Sequence, residues 1–250
     1  MKKFVALIAK LALATTAHAD EVQVAVGANF NAPMKIIAAD FEMDTGHKAV
    51  VSLGTVGKFF AQIKSGAPFE VLISSDKDTP DKLVAEGLAV ESTRRTYAIG
   101  KLVLWSAKPD YVDAKGEILK KGDFKHLALA NPKLAVYGAA GQEAMKRMGV
   151  LESIQPRIVL AENITQAHQF VATGNAELGF VALSQIVGKD GRVTEGSHWM
   201  VPADLYPQIR QDAIVLKLGR DKPAAKALVD YLKTDKARAV IKAYGYDIDY

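Results

Sequence analysis

The stretch Val24-Ala25-Val26-Gly27-Ala28-Asn29-Phe30-Asn31-Ala32-Pro33-Met34-Lys35 decides the fold. It opens with an apolar, largely β-branched run, the pattern of a short buried strand. Small residues and two asparagines follow, then a proline ahead of a helical pattern. Asn31 suits a helix cap and Pro33 a first helical turn, where no backbone donor is lost. A strand that turns sharply into a helix leaves free N–H groups at the helix start, and these attract anions. No Lys or Arg precedes Lys35 in the stretch, so a ligand here is held by dipoles and hydrogen bonds. The turn suits a small anion.

The same unit recurs outward from this point. Residues 49–52 read as a strand, 53–57 as a second small-residue turn, and a helix starts at Lys58. Residues 69–74 form a third strand, and Thr79-Pro80 caps a helix that runs to Gly87. The run 96–106 is long for one strand and reads as crossing from one lobe to another. Residues 108–122 are polar and turn-rich. Two more strand–turn–helix units follow, over 127–148 and 157–174, and 178–183 is a buried strand. Residues 212–217 return across the molecule, and 222–244 form a terminal helical region with Leu228, Leu232 and Ile241 on its apolar side. Such alternation is the mark of an α/β protein with largely parallel sheets. Its order describes two lobes facing one another, each offering helix starts to a shared cleft.

Composition narrows the function. The chain has 250 residues and no cysteine. Lys2 and Lys3 precede an apolar run over 4–14 and then Ala17-His18-Ala19, which reads as a secretory signal over residues 1–19, although Lys10 interrupts the run. Without Lys2, Lys3 and Lys10, 29 basic residues face 28 acidic ones. A net charge of +1 makes no case for nucleic acid. His47, His126, His168 and His198 are far apart and have no metal-ligand spacing. There is no G-x-S-x-G elbow and no phosphate loop. Asp76, Asp78 and Asp81 read as turn and helix-start residues, and Arg94-Arg95 as a solvated pair. The chemistry of an enzyme is not in the sequence.

Longer matches add a family. Ala28-Asn29-Phe30, Gly66-Ala67-Pro68-Phe69, Ser74-Ser75-Asp76, Tyr97-Ala98-Ile99-Gly100 and Lys101-Leu102-Val103-Leu104-Trp105-Ser106 resemble periplasmic molybdate-binding proteins. So do Asn131-Pro132, Tyr137-Gly138, the run from Leu178 to Gln185, and Gly196-Ser197-His198-Trp199. The resemblance covers the mature chain in order. It implies a type II periplasmic binding protein, with lobe 1 over 20–98 and 206–250 and lobe 2, inserted into it, over 99–205. It further implies a monomeric receptor, without cofactor, that delivers molybdate or tungstate to an inner-membrane ABC permease and its ATPase.

By the same resemblance, Asn29 is a ligating position of the first turn, with Ala28 before it. Val56 stands at the ligating position of the second turn, where the family usually has Ser or Thr. Tyr137 and Ile164 match positions whose backbone N–H contacts the anion. Val56 offers an N–H but no hydroxyl, which leaves Asn31 and Thr55 as compensating candidates. The missing hydroxyl also keeps open another oxyanion (sulfate, chromate or a phosphate-like one) or a role as ligand sensor. It places the expected side-chain contact on Asn29.

Overall fold

The computed structural model describes residues 20–188 and 190–248. The signal reading falls on residues 1–19, outside them. The opening stretch folds as read, into strand β1 (Glu21–Gly27), a 3-10 turn (Ala28–Phe30) and helix α1 (Asn31–Thr45). One detail differs. Asn31 is the first residue of α1 rather than its cap, and Phe30 holds the cap position without a side-chain bond. The 3-10 turn takes up the bend that a capping side chain would otherwise stabilise.

Next come β2 (Lys48–Gly54), α2 (Val56–Lys64), β3 (Val71–Ile73), α3 (Asp78–Ala85) and β4 (Arg95–Gly100). The second half of the fold has β5 (Leu102–Ser106), α4 (Ile118–Lys121), β6 (Leu127–Ala130), α5 (Val136–Arg147) and α6 (Leu151–Ile154). It continues with β7 (Ile158–Ala161), α7 (Ile164–Ala172), β8 (Leu178–Ala182) and β9 (Ser197–Met200). The chain then returns through β10 (Ile209–Val215) to α8 (Pro223–Tyr231) and α9 (Asp235–Ala243).

The strands form two five-stranded sheets, β2-β1-β3-β10-β4 and β7-β6-β8-β5-β9. In the first, β1 is parallel to β2 and β3, and β10 is antiparallel to β3 and β4. In the second, β6 is parallel to β7 and β8, and β5 is antiparallel to β8 and β9. Four strands of each sheet therefore run one way and one is reversed. The reversed strand is the one by which the chain arrives from the other sheet. The long segment read at 96–106 is two strands, broken at Lys101, one in each sheet. At Gly100, the last residue of the first, the Tyr137 hydroxyl and the Gln211 amide fill the space of a side chain.

Each sheet has its own core. Phe30, Met34, Ile37 and Phe41 lie fully buried against one face of the first, in one cluster with Leu228, Leu232 and Ile241, and Phe59, Ile63 and Leu83 cover its other face. Trp105, Leu127, Phe180 and Met145 centre the second. Helix starts follow the carboxyl ends of the parallel strands directly. Only Thr55 separates β2 from α2, and only Glu162 and Asn163 separate β7 from α7. In open α/β sheets that edge is where ligands bind.

Candidate functional site

A small buried cavity lies where the carboxyl edges of the two sheets meet. Its lining comes from Ala28, Asn29, Gly54, Thr55, Val56 and Ser75 on one side and Ala135, Val136, Tyr137, Asn163 and Ile164 on the other. The centre of a water-sized sphere has about 20 Å³ there, which corresponds to a void about 3 Å in radius. That is the size of one central atom with a single shell of oxygens. Among the described residues that line it, none carries a charge.

Backbone donors converge on this space. Four helical segments begin at it: the 3-10 turn at Ala28, then α2, α5 and α7. First-turn N–H groups have no acceptor within their own helix. In α2, the Lys58 N–H is capped by Thr55 Oγ1 at 3.3 Å. The Gly57 N–H reaches the Leu134 carbonyl at 3.3 Å, which leaves the Val56 N–H at the cavity. In α7, Asn163 Oδ1 caps the Gln166 N–H at 3.0 Å, and the Ile164 N–H remains. Helix α5 has no side-chain cap, so its first turn presents Val136 and Tyr137. The positive ends of these dipoles favour an anion.

The structure thus brings Ala28, Asn29, Thr55, Val56, Tyr137 and Ile164 to one cavity. Asn31 is not in its lining and instead borders a separate outer cavity with Leu53, Glu162 and Gln166. Thr55 is the N-cap of α2, which is what aims its oxygen. The Asn29 carboxamide, the side chain expected to reach a ligand, is already engaged. Its Nδ2 donates to Gln211 Oε1 (3.0 Å) and Tyr246 Oη (2.9 Å), and its Oδ1 accepts from Ser75 Oγ at 2.5 Å. Its carbonyl accepts from Ser184 Oγ and Tyr246 Oη, both at 2.9 Å. The Tyr137 hydroxyl accepts from Gln211 Nε2 at 3.1 Å.

Ser75, Gln211, Ser184 and Tyr246 are therefore the residues that sequence reasoning did not single out. Burial raises the phenols of Tyr97 and Tyr137 well above their usual range and pushes Tyr246 up to about 12. Their hydroxyls stay protonated at any physiological pH. Arg94 is a further correction. It is not a solvated partner of Arg95 but bonds Asp81, the buried Asp212 (2.6 Å) and the Lys77 carbonyl (2.9 Å).

Direct contacts hold the lobes together over the cavity. Besides Gly57 and Leu134, Lys58 pairs with Glu162, and Thr165 Oγ1 reaches the Ala28 carbonyl at 3.5 Å. A larger groove of about 660 Å³ adjoins the cavity through Val56, Ala135 and Val136. Lys77, Lys82, Lys133, Lys146 and Arg210 line it, with Asp76, Asp78 and Glu143 among them.

Two α/β lobes joined by two crossings and closed over a neutral, buried cavity define a binding protein for a small solute. The chain belongs to the bacterial extracellular solute-binding protein family, whose model matches residues 22–247. It is 61% identical over 236 residues to the molybdate-binding protein ModA of Azotobacter vinelandii, covering 94% of this chain and 93% of that one. To the molybdate-binding protein ModA of Rhodobacter capsulatus it is 52% identical, covering 96% and 94%. The solved structure of the Azotobacter vinelandii periplasmic molybdate-binding protein superposes with a TM-score of 0.89 and 42% sequence identity. That superposition covers 92% of this chain and all of the other.

Proposed function

We propose that this protein is a periplasmic receptor that closes around a tetrahedral oxyanion, molybdate or tungstate, and presents it to a membrane ABC importer. The observation that carries the reading is the cavity itself: small, without charged side chains in its lining, and met by four helix starts. A desolvated dianion needs nearly all its oxygens satisfied, which takes donors from several directions. Neutral donors achieve this without a salt bridge that would resist release. Backbone N–H groups of Asn29, Val56, Tyr137 and Ile164 serve as the ligating set, with Ala28 shaping the first turn. Closure is a population shift, because the anion meets both sets of donors only when the lobes meet. The lobe divisions at 98/99 and 205/206 belong to this reading, supported by the passage between sheets at Lys101 and again between β9 and β10. Turnover has no part in it, since nothing in the lining pairs a nucleophile with a base.

The same lining disfavours a protonated anion. A hydrogen-bearing oxygen needs an acceptor, and the backbone groups at the cavity are N–H donors. Calorimetry of residues 20–250 with molybdate, tungstate, sulfate, chromate and phosphate tests the reading. Molybdate and tungstate bind tightly and hydrogen phosphate binds weakly or not at all. Failure of every oxyanion to bind below about 1 mM overturns it. A preference for sulfate or chromate shows instead that the missing hydroxyl at Val56 has changed the ligand.

A further inference from the structure

Behind the cavity, groups from widely separated segments form one buried chain of contacts. It runs from Ser75 Oγ to Asn29 Oδ1 (2.5 Å), and from Asn29 Nδ2 to Gln211 Oε1 (3.0 Å) and Tyr246 Oη (2.9 Å). Gln211 Oε1 also lies 2.9 Å from Tyr97 Oη, and Gln211 Nε2 lies 3.1 Å from Tyr137 Oη. Tyr97 Oη is 3.0 Å from the Ser74 carbonyl. In this arrangement Ser75 gives its only proton to Asn29. It then shows the cavity lone pairs, which repel an anion.

A second proton arrangement is reached by turning both carboxamides over, which exchanges N and O in each; the Ser75 Oγ–Asn29 contact then lengthens from 2.5 Å to the ~2.7–3.2 Å of an N–H···O bond. With both Asn29 and Gln211 turned, Asn29 Nδ2 donates to Ser75 Oγ and Ser75 is free to point its proton into the cavity. Asn29 Oδ1 then accepts from Gln211 Nε2 and Tyr246. Gln211 Oε1 accepts from Tyr137, and Tyr97 accepts from Gln211 Nε2 while donating to the Ser74 carbonyl. Each of these side chains keeps at least one hydrogen-bond partner in both arrangements, which limits the cost of the exchange.

We propose that the Ser75 hydroxyl is a ligand donor for the oxyanion, and that Gln211 is the positioning residue whose turned carboxamide lets Asn29 release it. The inference rests on the oxyanion reading of the cavity. It supplies the side-chain hydroxyl that the second turn lacks at Val56, from a strand end that lies against the first turn rather than from the second turn itself.

The test uses residues 20–250 and molybdate. Ser75→Ala weakens binding by about 5- to 150-fold, the range for one lost donor, and lowers the ligand-free melting temperature as well, because Asn29 Oδ1 loses the hydroxyl that donates to it. Gln211→Glu, which accepts but cannot donate, holds Ser75 turned away and weakens binding comparably. Adding Ser75→Ala to it costs little more, since both act on one bond. The unaltered protein gives a readout that needs no substitution. The side-chain amide 15N–1H resonances of Asn29 and Gln211 shift on adding molybdate. If they do not move, or if Ser75→Ala binds as tightly as the unaltered chain, the inference fails and the function stands. If the unaltered chain binds no oxyanion, the function fails and takes the inference with it.

Discussion

Gly57 gives the sharpest test of closure. It is the second residue of α2, and its N–H crosses to the Leu134 carbonyl of the opposite lobe at 3.3 Å. A Cβ placed on it would lie 3.2 Å from Leu134 Cα, 3.3 Å from its oxygen and 3.4 Å from its Cδ2. Gly57→Ala asks Leu134 to yield by a few tenths of an ångström, whereas Gly57→Leu adds three more carbons where the lobes touch. With closure blocked, the anion keeps the donors of the first lobe and loses the Tyr137 and Ile164 N–H groups of the second. Bonds to a charged acceptor are worth about 1.5–3 kcal/mol each, so losing two costs at least about 3 kcal/mol, or about 150-fold in Kd. Calorimetry with molybdate measures this, thermal melts check that each lobe still folds, and small-angle scattering at saturating anion reports whether the protein compacts. Binding by Gly57→Leu within about threefold of the unaltered protein, with normal compaction, would refute the reasoning.

Val56→Ser adds a hydroxyl to the second turn and tightens molybdate by about 1 kcal/mol, roughly fivefold. No gain in calorimetry means that Ser75 already fills that role. Replacing Lys82, Lys133 and Lys146 in the outer groove with Gln slows association several-fold at low salt and leaves dissociation unchanged, because none of the three ion-pairs with a described residue. Stopped-flow tryptophan fluorescence reads both rates, and a difference that persists at about 1 M salt argues against steering. Burial holds His168, stacked on Trp105 at 4.8 Å, below the ordinary histidine range. The unfolded chain therefore takes up that proton first, and the stabilisation present above a pH of about 6.5 is lost as pH falls below it. His168→Phe flattens the melting temperature between about pH 7.5 and 5.5 if this group is responsible.

The architecture was legible because it rests on local chemistry. Val24-Ala25-Val26 can hardly be other than a buried strand, and the turns before Lys58 and Gln166 mark where strands give way to helices. The break at Lys101 was hidden, since residues on both sides of it are apolar and extended. What splits the run is a change of remote partner, β4 pairing with β10 and β5 with β8 and β9. The site was half legible for the same reason. Backbone donors belong to helix starts, which have a signature in sequence. Ser75 reaches the cavity from the end of β3, and Gln211 and Tyr246 meet Asn29 from 182 and 217 residues away. Position in the sheet, not spacing in the chain, assembles that network. Asn29 was singled out as a ligand side chain, but the pull of three buried partners on its carboxamide cannot be read from its neighbours in sequence.

The placement of β10 between β3 and β4 sets an order on how the molecule comes into being. A chain that emerges N terminus first delivers β4 with no neighbour to pair with, because the strand that joins it to the rest of the first sheet is made last. Helices α8 and α9, which close one side of the same core, come later still. All five strands of the second sheet, by contrast, lie in one unbroken stretch between β5 and β9. The lobe begun first is the lobe finished last. Its hydrophobic residues stay uncovered for as long as the other lobe takes to be made.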